Sequence, residues 1–147
     1  MRFRTKEVES PDNPSEYLKT PWGTTVKRPE IDIELLDSDE DSLFDLSAII
    51  DSGADITMVN AEYALSLGVS LHKIPDVDVK GVTVVAKGKP AIIKVHLTKL
   101  GDTLDLPVLF IDKPTVNILL GREVFFQRYK IRFCISEGFF EIKRISG

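Results

Sequence analysis

The chain has 147 residues, 43% of them hydrophobic and 29% charged, the balance of one globular domain with a core of its own. A formal net charge of -4 with 19 basic residues leaves no basic footprint for nucleic acid, and no run approaches the ~20 apolar residues of a membrane span. Cys134 is the single cysteine, which excludes an internal disulfide and a cysteine-built metal centre.

Residues 1–30 are polar and interrupted by prolines, and read as an irregular N-terminal arm. No apolar run follows the charged start Met1 to Lys6, so a cytoplasmic location is expected. From residue 31 the pattern changes. Ile31, Ile33 and Leu35 alternate with Asp32 and Glu34, as in a half-buried strand. Asp37 to Ser42 is an acidic connection, and Leu43 to Ile50 is a second strand that turns fully apolar towards its end. Asn60 is a candidate N-cap for a short helix from Ala61 to Leu67, closed by Gly68. Val77, Val79 and Val82 to Val85 predict another strand or a hairpin arm, broken at Gly88 and Pro90. Ile92 to Leu97 and the alternating Leu104, Leu106, Val108 and Phe110 predict two more strands around a turn at Gly101-Asp102. Gly121 to Arg128 reads as a second short helix, and Ile131 to Ile135 with Phe139 to Ile142 as a terminal hairpin. The total is a mostly β protein with one or two short helices.

Two segments carry chemistry. Ala48-Ile49-Ile50 runs straight into Asp51-Ser52-Gly53-Ala54-Asp55, which puts one carboxylate at the end of a buried strand, on a tight turn. Asp-Ser-Gly alone is only a turn signal. The second segment is Val116-Asn117-Ile118-Leu119-Leu120-Gly121-Arg122-Glu123, near the C-terminus. Together they resemble the retropepsin-like aspartic proteases, which carry Asp-Thr/Ser-Gly-Ala and, further on, two apolar residues followed by Gly and Arg.

The resemblance implies a small closed β-barrel of the retropepsin, or acid protease, type over residues 31–147. It implies an aspartic endopeptidase in which a water held between two carboxylates attacks a peptide bond while the pair shares one proton. The chain holds one Asp-Ser-Gly. The second Asp51 must then come from a second copy, in a homodimer with the site on its two-fold axis. Asp51, Ser52 and Gly53 would form the catalytic loop. Ala54 and Asp55 would bind substrate main chain, with Gly81, Val82 and Thr83 in a flap closing over a peptide or protein substrate. Gly121 and Arg122 would support the site, Arg122 by pairing with Asp55. No cofactor and no metal are implied. A non-catalytic peptide-binding or dimerisation module on the same fold is the alternative.

Other patterns carry less. Asp37, Asp39 and Asp41 begin like a calcium loop, but Ser42 stands where that loop needs Gly and Ala48 where it needs Glu. Gly81 and Gly88-Lys89 are spaced too widely for a phosphate loop, and Pro90 follows where Ser or Thr is needed. His72 and His96 are isolated from one another and from any third ligand in the sequence.

Overall fold

Period-two burial builds the main sheet. Strand β4 (Glu30–Leu36) turns Ile31, Ile33 and Leu35 inward, and β5 (Ser42–Ile50) ends on buried Ala48 and Ile50. A computed structural model of the chain describes residues 1–9, 25–80 and 85–145. Within them β6 (Thr57–Asn60), β7 (Val77–Lys80), β8 (Val85–Leu97), β9 (Asp102–Ile111) and β10 (Ile118–Leu120) complete the sheet. The strand order is β4-β5-β10-β6-β9-β8-β7, and a further antiparallel pairing of β4 with β8 closes the first six into a barrel. Closure leaves no free edge in that ring. Leu35, Val95, Leu106, Phe110, Ile118 and Leu120 fill its interior, all essentially inaccessible to solvent.

One crossing positions the site. β5 and β6 follow each other in sequence, yet β10 lies between them, parallel to β5 and antiparallel to β6. The loop of residues 51–56 must therefore pass over the end of β10. All three residues of β10 are apolar because the strand has neighbours on both edges and core beneath it.

A second sheet, β1-β12-β11, joins the two ends of the chain: β1 (Arg2–Arg4), β11 (Tyr129–Cys134) and β12 (Phe139–Arg144). Phe3 stacks on Phe140 with ring centroids 5.3 Å apart. β2 (Lys6–Glu9) and β3 (Thr25–Arg28) pair as a two-stranded ribbon. The expected irregular arm thus contains three strands among its described residues. Each is only three or four residues long, too short for periodicity to register, and the partner of β1 lies at the other end of the chain.

Other expectations also change. Gly88 and Pro90 do not break β8, which runs through both. Gly88 packs against Val79 and Leu109, where a side chain would be crowded. Pro90 falls between the end of the β7 pairing at Gly88 and the start of the β4 pairing at Lys94, where β8 has a partner on one side only. The helix expected from Gly121 to Arg128 is a wide turn over Arg122–Phe126, with Glu123 extended and Val124 at φ 66°, ψ -56°. Its amides are taken elsewhere: Arg122 N–H and Glu123 N–H donate to the carbonyls of Ala54 and Asp55. The helix expected at Ala61 to Leu67 is a single 3-10 turn, Ala61–Tyr63, followed by further turns to Gly68 at φ 83°. Asn60 does cap it, its side chain accepting from the Glu62 amide at 3.1 Å. Among the described residues no helix is long and apolar enough to cross a membrane.

Candidate active site

The last inward side chain of β5 is Ile50, and Asp51 follows at the barrel rim, half-exposed. Three hydrogen bonds fix it. Its amide donates to the Leu120 carbonyl at 2.9 Å. Its carbonyl accepts from the Ala54 amide at 3.3 Å, closing the turn. Its carboxylate Oδ1 accepts from the Gly53 amide at 2.9 Å. Among the described residues Oδ2 accepts no hydrogen bond. A Cβ on residue 53 would stand 3.2 Å from Oδ1, so glycine keeps the carboxylate uncrowded.

The two signature segments interlock. Arg122 N–H donates to Ala54 O at 2.8 Å and Glu123 N–H to Asp55 O at 2.9 Å. Gly121 N–H donates to Thr57 Oγ1 at 3.1 Å, in a fully buried setting. A Cβ on residue 121 would lie 2.5 Å from the carbonyl carbon of Ile56, so only glycine fits. Arg122 and Asp55 also pair through their side chains. Both side chains are exposed, 55% and 82%, and an ion pair so placed contributes ~0–1 kcal/mol to the fold of the single chain.

An open cavity of about 460 Å³ lies beside Asp51. Gly53, Ala54 and Asp55 line it from the Asp51 loop, Ile56 and Met58 from the chain that follows, and Asp78, Val79 and Leu109 from β7 and β9. The structure thus brings Asp51, Gly53, Ala54 and Asp55 to one cleft, with Gly121 and Arg122 directly behind it. Ser52 is exposed on the same turn. Gly81, Val82 and Thr83, the expected flap residues, lie outside the described residues, between β7 and β8.

Sequence reasoning missed Thr57, Met58, Asp78 and Leu109. Thr57 left a signal, as a polar β-branched residue at a core-facing position of a strand; Met58, Asp78 and Leu109 become neighbours only through the sheet order. Among the described residues no group of three or more His, Cys, Asp or Glu is arranged to hold a metal ion.

The aspartyl protease family model matches residues 41–124, more than half of the chain and both signature segments. The chain belongs to this family, and its barrel is of the retropepsin type. A retropepsin-like aspartic protease from Rickettsia conorii is similar at 18% identity and TM-score 0.57, over 79% of this chain and 89% of that one. The retroviral protease-like domain of a Leishmania major protein is similar at 16% identity and TM-score 0.52, over 80% and 90%. At these identities the likeness is one of fold. No curated protein sequence matches the chain.

Proposed function

We propose that the protein is a homodimeric aspartic endopeptidase that cuts peptide or protein substrates with a water held between the Asp51 carboxylates of its two subunits. The observation that carries this reading is the interlocked loop pair, which holds Asp51 at the barrel rim beside the cleft with one carboxylate oxygen bonded to the Gly53 amide. One barrel supplies one such aspartate. A water-activating pair therefore needs a second copy, with the two rims facing across a two-fold axis. In that arrangement the ionised carboxylate takes a proton from the water and the protonated carboxyl donates to the scissile carbonyl oxygen. Ala54 and Asp55 would meet the substrate main chain, with Ser52 reaching towards the partner loop. Gly81, Val82 and Thr83 would cover the bound peptide.

The test is Asp51→Asn, a near-isosteric change that keeps the Gly53 hydrogen bond. It is expected to retain the fold and the dimer and to abolish cleavage of an unfolded protein substrate. Excess Asp51→Asn chains mixed with wild type are expected to suppress activity beyond dilution, by forming dimers with one carboxylate. Full activity in Asp51→Asn, or in a demonstrably monomeric sample, refutes the reading.

A further inference from the structure

The cavity beside Asp51 is amphipathic. Ile56, Met58, Val79 and Leu109 make one part of its lining apolar. Asp51, Asp55 and Asp78 supply carboxylates, that of Asp55 already paired with Arg122, and among the described residues no Lys or Arg lines the cavity itself. Met58 and Leu109 stand opposite each other on the parallel pair β6–β9, so the apolar part rests on the barrel wall. Asp78 stands on β7, the outermost strand of the sheet. Its partner, Lys87 on β8, is 3.0 Å away, and the two side chains are 58% and 68% exposed. An ion pair so exposed is weak and water-screened, so a competing cation can displace it.

We propose that this cavity is a specificity subsite for a long, unbranched side chain with an apolar stem and a cationic end, and that Asp78 makes the enzyme prefer Lys or Arg over Glu there. The inference rests on the protease reading above. A Lys or Arg side chain suits both halves of the cavity, its methylenes lying on Met58, Val79 and Leu109 while its charge stays in the wet, acidic part. A glutamate in the same place meets like charge. Since no bond to a desolvated partner is involved, the preference is electrostatic and modest, roughly two- to fivefold in kcat/KM, and it shrinks with salt.

The test uses the wild-type enzyme and peptide series in which each position flanking the scissile bond carries Lys, norleucine or Glu in turn. At one position Lys is expected to exceed norleucine, with Glu poorest. Asp78→Asn should bring the Lys-to-norleucine ratio at that position to near one, Lys87→Ala should raise it by freeing Asp78, and added salt should lower it for wild type. Equal cleavage of Lys and norleucine peptides at every position overturns the subsite and leaves the protease reading intact. A Lys preference that survives Asp78→Asn also overturns it. Wild type that cleaves none of the peptides, nor an unfolded protein, overturns both.

Discussion

The hydroxyl of Thr57 accepts a hydrogen bond from the amide of Gly121 at 3.1 Å, in a place sealed from water. The bond joins the strand that leaves the Asp51 loop to the segment that carries Arg122. It also satisfies a backbone donor that has no ladder partner, since β10 ends at Leu120. Thr57→Val keeps the shape and removes the acceptor. A buried N–H without a partner costs about 1–3 kcal/mol, and that loss is expected in equilibrium denaturation. Thr57→Ser should recover most of it. Equal stability of the Val variant would show that Gly121 finds another acceptor.

Gly121→Ala tests the close approach behind the site. The added methyl would stand 2.5 Å from Ile56 C and 2.9 Å from Thr57 N, both backbone atoms that cannot swing aside. A loss of roughly 1–3 kcal/mol is expected, with displacement of the Asp51 loop and a large drop in peptide cleavage. Phe125→Ala is the comparison, because it is fully buried at the other side of the same turn. It should cost about 3–5 kcal/mol. Loss of cleavage greater than loss of folded protein should mark Gly121→Ala and not Phe125→Ala.

Arg122→Lys separates site support from fold stability. The pair with Asp55 is exposed in the single chain, so thermal stability of the variant should change little, by less than about 1 kcal/mol. In the proposed dimer Arg122 lies near the partner chain and the substrate, where a compact ammonium cannot replace a planar guanidinium. Cleavage or dimer affinity is therefore expected to fall. Wild-type values of both would remove Arg122 from the site.

At the far end of β9 a polar cluster gives a pH signature. The Arg144 guanidinium bonds both Asp102 oxygens at 2.7 Å, and Tyr129 donates its hydroxyl to the same carboxylate. Arg144 and then Tyr129 hold the Asp102 carboxyl below its usual range. Burial, and then Asp102 itself, push Tyr129 up to about 12. Asp102 therefore contributes stability above its unfolded value, and this is lost as pH falls through its lowered folded value. Tyr129 contributes stability that is complete below its ordinary value near 10.0 and lost as pH rises towards about 12. Denaturation midpoints across pH should show a reduced acid-side loss in Arg144→Met and a reduced alkaline-side loss in Tyr129→Phe. Tyr63 is also pushed upward, by burial and then by Glu62, so phenolate absorbance should show the Tyr129→Phe variant losing a late-titrating component that wild type has at about 12.

Local pattern was enough for much of this molecule. The alternation at Ile31, Ile33 and Leu35 and at Leu104, Leu106, Val108 and Phe110 records a sheet with one wet face, because period two is a property of each strand alone. The same holds for the apolar run that ends at Asp51 and for the Asn60 cap, whose partner amide is two residues away. Gly53 and Gly121 stood out as residue types, but the reason for Gly121 is the backbone of Ile56, a neighbour that only the insertion of β10 between β5 and β6 brings near. That insertion also undid the expected helix after Gly121, since the amides of Arg122 and Glu123 bond to the Asp51 loop. Pro90 sits in a strand because β8 changes partners around it. Phe3 is core because β12 pairs beside it, and Asp78 meets the cleft at Asp51 because β7 is laid on the outside of β8. Such contacts depend on which segments the closed barrel makes adjacent, and side-chain spacing along one strand carries no record of the strand beside it.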